Sequence, residues 1–184
     1  ALCSDAAEAV ARQGAGSLSP GRRHRLGLGE DLPSDLYDAM RRGIREGHCD
    51  MLPESALDAM VTAQRARNGA LALNLRTGAG YGLGVLVTGN GHARLDRGVP
   101  RLLRRHVEGG KIMSIGFVEV AEGVTDPAAY GARFDSARPP FDYVWFTPRR
   151  PRKDPCERFK GALEKAGESL EKAHGAGKKT SSPK

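Results

Sequence analysis

The sequence predicts an α/β fold, with a mostly parallel sheet flanked by helices and a small helical subdomain near the N-terminus. Three observations lead there. Between Leu36 and Leu73 apolar residues recur every three or four positions, the period of helices buried along one face. From Val85 to Val120 the chain reads short apolar run, loop, helix, apolar run, which is the order of a βαβ unit and so of parallel strands. A glycine-rich break over 78–84 separates the two patterns.

Taken in order, residues 1–30 hold an Ala-rich, helix-prone stretch from Asp5 to Gln13 and then a Gly/Ser/Pro/Arg-rich loop. Residues 31–76 form the helical subdomain. Its first helix opens at Pro33-Ser34-Asp35, with acid in the first turn, carries Leu36, Met40 and Ile44 on one stripe, and stops at Gly47. His48-Cys49-Asp50 makes the turn, and Pro53-Glu54 opens a second helix with Leu57, Met60, Val61 and Gln64 on one face, so the pair is an αα-hairpin. Residues 77–173 form the α/β part. Val85-Leu86-Val87 reads as a strand buried on both faces. Val99-Pro100 starts a helix that ends before Gly109-Gly110, 112–120 is the next strand, 126–140 a polar loop, and 141–146 a last strand. Asp154-Pro155-Cys156-Glu157 is a capping-box-like start for a C-terminal helix with Phe159, Leu163, Ala166 and Leu170 on its apolar face. Residues 174–184 are a basic tail expected to be disordered. No internal repeat is visible.

The chain has 184 residues and is 39% hydrophobic. A chain of that length buries roughly two-thirds of its unfolded surface and needs no metal or disulfide to fold. No run of 18 apolar residues marks a membrane span. The net charge is +7, but 149–184 holds 11 Lys or Arg against 5 Asp or Glu, so the basic character belongs to the tail. That pattern points to solvation rather than a specific nucleic-acid site. Cys3, Cys49 and Cys156 form no CxxC pair, which excludes zinc-ribbon and thioredoxin motifs. The chain begins at Ala1 without a signal segment, so either a removed start or a piece of a longer protein is expected.

The segment with the most chemistry is Gly89-Asn90-Gly91-His92, where an expected parallel strand ends and a helix is about to begin. Ligands of open α/β sheets bind at that end of the strands. Two glycines allow close backbone approach, Asn90 supplies an amide, His92 an imidazole for metal or proton, and Arg94 a partner for carboxylates. A tight turn whose histidine bonds locally is the competing reading. A dinucleotide site is unlike this pattern, since Arg94 stands where the third glycine of GxGxxG belongs, and no P-loop, GxSxG or HExxH occurs. Arg101, Arg104, Arg105 and His106 read either as a solvated face or as an anion-binding patch near the loop. His48-Cys49 reads as structural, and Tyr37, Tyr81, Tyr130 and Tyr143 as packing residues able to ligate iron by chemistry alone.

These motifs, in this order, resemble the C-terminal part of ChaN-like haem-binding uptake proteins of the Tiki superfamily. The resemblance runs through GVLVTGNGHARLDRGVP from Gly84 to Pro100, SIGFVEV from Ser114 to Val120 and FDYVWFT from Phe141 to Thr147. It includes Gly47-His48-Cys49, Leu52-Pro53 and Met60-Val61-Thr62-Ala63-Gln64 upstream. The resemblance implies an envelope protein of a Gram-negative bacterium, periplasmic or anchored to the outer membrane as a lipoprotein, that binds haem for iron uptake. It implies a homodimer and an outer-membrane uptake receptor as partners. Carried onto this chain, it assigns haem to Gly89, Asn90, Gly91, His92 and Arg94, with His92 as the metal-binding residue and no catalytic residue, so a binding module rather than an enzyme. Its alternative is a divalent-metal-dependent hydrolase of the Tiki or erythromycin-esterase type, or an inactive remnant of one. Two departures stand out. The family's N-terminal Gly-Glu-x-His segment has no counterpart, which implies an incomplete sheet and half a site. The Arg-Asp expected after Ala63-Gln64 appears as Arg67-Asn68, which removes a carboxylate. The family-like contexts of Cys49 and Cys156 suggest a disulfide between them in an oxidising compartment.

Overall fold

The computed structural model describes residues 2–80, 82–107, 110–151, 154–158 and 160–161. It is a helical body carrying a small open sheet: α1 (Leu2–Gln13), α2 (Pro20–Arg25), α3 (Ser34–Gly47), α4 (Glu54–Ala79), α5 (Asn90–Ala93) and α6 (Val99–His106), then strands β1 (Ile115–Glu119) and β2 (Tyr143–Thr147). The strands pair in parallel, with Ile115 opposite Tyr143 and Phe117 opposite Trp145. The α/β class and the parallel pairing follow the sequence reading.

Helix α4 is the axis. Val10, Leu18 and Leu26 pack on its Ala66 and Ala70, while Val99 and Leu103 of α6 pack near its Ala72. Small residues on α4 let its neighbours come close. Gly69 shows how close: a Cβ there would sit 2.6 Å from the Cα of Leu26. The α3–α4 hairpin forms as expected, with Met40 and Ala39 buried and Leu36 and Ile44 half-buried. Across it, Arg41 bonds Asp58 at 2.8 Å and Glu54 at 3.2 Å. The loop expected after α1 instead contains a 3-10 turn and α2, which Ser19 and Pro20 start by capping and by a preset φ.

The expected strand over Val85–Val87 is a correction. Residues 83–89 form neither helix nor strand and have no strand partner among the described residues. Val85 and Val87 are 75% and 92% exposed, and only Leu86 packs, against the α4–α6 cluster. The helices cover one side of this segment and no strand covers its edge, so the two-sided burial inferred from its composition does not arise. The expected βαβ unit therefore does not form. The parallel pair is instead β1–β2, joined through a 3-10 run, Pro127–Phe134, inside what the sequence suggested was loop. Asp126 caps that run at the Ala128 N–H, 2.9 Å, and it buries Tyr130 against Phe146. Residues 155–158 and 160–161 are helical at the expected C-terminal helix. The rest of that helix and the basic tail lie outside the described residues.

Candidate functional site

The Gly89–His92 loop folds into the single turn of α5, which lies along β1. Asn90 Nδ2 donates to the Phe117 carbonyl at 2.7 Å and Ser114 Oγ to the Ala93 carbonyl at 2.5 Å, so the turn is fastened to the strand at two points. Gly89 and Gly91 stand in open space and neither has a positive φ. Their lack of a side chain serves exposure rather than an obligatory backbone shape. The glycine that packing does require is Gly98, whose Cβ would run into the carbonyls of His92 and Arg94.

His92 turns the other way, toward α4. Its Nδ1 is 2.6 Å from Asn68 Oδ1, which makes Nδ1 the protonated nitrogen and leaves the Nε2 lone pair to face Gln64 Nε2 at 3.5 Å, a marginal contact. Asn68 is only 1% exposed, and its Nδ2 is committed to the Arg97 carbonyl at 3.1 Å, so its carbonyl oxygen has no choice but to face the ring. Burial, and after it the Arg67 guanidinium, pushes the His92 pKa below its ordinary value. His92 is thus a neutral, oriented, half-buried imidazole at neutral pH, the form that ligates metal.

Arg94 does not present itself to a ligand. It is 4% exposed, grips Asp96 with two bonds of 2.8 and 2.7 Å, and donates to the Phe134 carbonyl at 2.7 Å. Burial alone would raise the Asp96 pKa, but the hydrogen bonds and charge of Arg94, with Arg97, hold it below the ordinary range. The carboxylate partner foreseen for Arg94 is therefore internal, and the pair braces the loop. The same pairing occupies Asp96, the nearest acid to His92 in sequence.

The α6 arginines divide. Arg101 and Arg105, with Arg65 of α4, line a cavity of about 30 Å³ that also contains Glu30, Asp31 and Asn68. Arg105 pairs with Glu30 at 2.7 Å, and Arg65 bonds the Gly27 and Glu30 carbonyls. Cys49 and Cys156 are joined as a disulfide, Cα–Cα 5.5 Å, tying the α3–α4 turn to the segment after β2. His48 Nδ1 lies 2.7 Å from the Ile44 carbonyl. Among the described residues no three His, Cys, Asp or Glu side chains come together to hold a metal ion. Tyr81 lies outside the described residues.

Gln64 and Asn68, one turn apart on α4, are the site residues that motif reading passed over. The signal was present: Gln64 stood in a segment that carries the resemblance, and Asn68 occupied the position where that resemblance leads one to expect a carboxylate. Only the fold shows that both face His92.

A family model described as haem-binding uptake, Tiki superfamily, ChaN matches residues 2–103. The match covers more than half of the chain, and the chain belongs to that family. No curated protein and no solved structure matches it.

Proposed function

From that membership, we propose that the chain holds haem at the Gly89–His92 loop, with His92 as the iron ligand, in the service of haem uptake. One observation carries the reading. His92 has the arrangement of a metal-ligating imidazole: Nδ1–H held by a buried oxygen 2.6 Å away, and the other nitrogen left with a lone pair. The residues fit the group. Haem, when bound, would offer its iron to a neutral imidazole nitrogen, and burial lowers the pKa of this one. Asn68 orients the ring, Gln64 Nε2 lies 3.5 Å from its Nε2, and Gly89 and Gly91 keep the approach free of side chains. Arg94 supports the loop through Asp96 rather than meeting a propionate. The divalent-metal hydrolase reading has no observation in its favour beyond the superfamily name.

Titrating haem into the protein should produce a Soret shift, and His92→Ala should change the band's position and weaken binding. An unaltered spectrum in that variant would remove His92 from the role, and no shift in the wild-type chain would refute haem binding. We also place the protein in an oxidising envelope compartment, for which the Cys49–Cys156 disulfide is the support. Treating freshly isolated protein with a thiol-alkylating reagent should label neither cysteine.

A further inference from the structure

We infer that the outer face of the β1–β2 sheet is a platform for the flat apolar ring of the ligand. This rests on the haem reading of the chain but not on which side chain takes the iron. Strand alternation puts Ile115 and Phe117 of β1 beside Tyr143 and Trp145 of β2 on one face. All four are exposed, at 41%, 61%, 64% and 65%. The opposite face is closed by Phe141 under Gly116 and by Tyr130 against Phe146. The open side is therefore a real asymmetry of a folded sheet, not a frayed strand. Parallel sheets are ordinarily covered on both faces, so an apolar side left bare calls for an occupant.

Three features select the occupant. The face is broad and shallow: two residues along a strand and one strand spacing across give Cα separations of about 7 Å and about 5 Å, and side chains extend that to a patch on the order of 10 Å. Its Phe117 and Trp145 rings lie 6.4 Å apart and tilted by 36°, offering aromatic surface to a planar π system rather than a socket for a compact group. Its edge at the carboxyl ends of both strands is cationic. Arg149 and Arg150 follow β2 after Pro148 and are exposed, while Arg133, bonded to the Glu119 carbonyl at 2.8 Å, stacks over Tyr130 on the closed face. Against them stands Glu122 in the turn after β1, while Glu119 is engaged within the chain. An aromatic plane with a guanidinium edge complements a planar apolar macrocycle bearing carboxylates on one side. The Asn90–Phe117 bond ties the Gly89–His92 loop to the middle of this same strand, so platform and loop are neighbours.

The test uses the full chain and two variants, Phe117→Asp/Trp145→Asp and Arg149→Glu/Arg150→Glu. All of the replaced side chains are exposed, and circular dichroism checks that the fold is kept. The expected result is a loss of haem affinity of tenfold or more in the first variant, with the Soret position of the residual complex unchanged. The second variant should weaken haem but leave the dimethyl ester of protoporphyrin unaffected. Trp145 is the one tryptophan, so its indole N–H gives a single resonance, and diamagnetic zinc protoporphyrin should shift it. If wild-type protein shows no Soret change, the haem reading fails. If haem binds but the face variant binds equally and the indole signal stays put, the haem reading stands and the platform is refuted. A wild-type dimer that the face variant abolishes, with haem affinity unchanged, would likewise refute it, by giving the face to a second copy of the chain.

Discussion

Asn68→Asp places a carboxylate beside the imidazole and should raise the pKa of His92. In the wild type, burial and Arg67 hold the imidazole pKa below 6.5. The folded ring therefore binds its proton less tightly than the unfolded chain does. Its contribution to stability is complete above about pH 6.5 and is lost as the pH falls through the lower folded value. A carboxylate oxygen placed where Asn68 Oδ1 now stands, 2.6 Å from Nδ1, attracts the imidazolium. At 4 Å and an effective dielectric of 20 that attraction is about 4 kcal/mol, and desolvating a carboxylate at a site 1% exposed offsets much of it. What remains favours the imidazolium and raises the His92 pKa. Wherever the raised folded value passes the unfolded value of about 6.5, the sign of the stability term changes. The histidine adds stability below about pH 6.5, and this is lost as the pH rises through the raised folded value. The substitution also gives up the Nδ2–Arg97 carbonyl bond, which costs about 1–3 kcal/mol at neutral pH. NMR titration of the His92 ring protons reads the first effect and thermal melting the second, at about 2–4 °C per kcal/mol. An unmoved or lowered His92 pKa in the variant would refute the geometry assigned to this pair.

Three further substitutions probe the frame that holds the loop. Arg94→Met leaves Asp96 without its bidentate partner and the Phe134 carbonyl without its donor; chemical denaturation should show a loss of about 3–5 kcal/mol, and a loss below 1 would contradict the bracing role. Cys156→Ser opens a loop whose ends are 107 residues apart in sequence, so the denaturant midpoint should fall by the equivalent of about 2–5 kcal/mol, and reducing agent should do the same to the wild type but nothing to the variant. Gly69→Ala drives a methyl into the backbone at Leu26 and should cost more than the roughly 1–3 kcal/mol typical of overpacking, because backbone cannot rotate away; a stabilised melt, as helix propensity alone would give, would show that α1, α2 and α4 are not packed as described.

The sequence was informative wherever a local rule and the tertiary environment agreed. The α3–α4 hairpin is one such place: proline at each start, a four-residue apolar stripe and a glycine stop act over a few residues, and packing against the rest of the chain reinforces them. The strand pair is another, because the apolar 112–120 segment and the aromatic, β-prone 141–146 segment each contain a strand, β1 and β2. The reading failed at Val85–Val87, where composition implies burial but burial is a property of neighbours. Three apolar residues in a row say that an environment is wanted, and they cannot say that one is present. The site shows the same division. His92 was legible as a chemical group in a glycine-rich turn, and Arg94 as a cation beside it. Their roles depend on contacts far along the chain, 24 residues away at Asn68 and 40 at Phe134. Those contacts separate the two side chains: Asn68 holds Nδ1 of His92 and leaves Nε2 only a marginal 3.5 Å contact with Gln64, while Asp96 and Phe134 engage the Arg94 guanidinium. A histidine and an arginine two residues apart are equivalent candidates in sequence, and what separates them is which hydrogen-bonding capacity the fold leaves unspent.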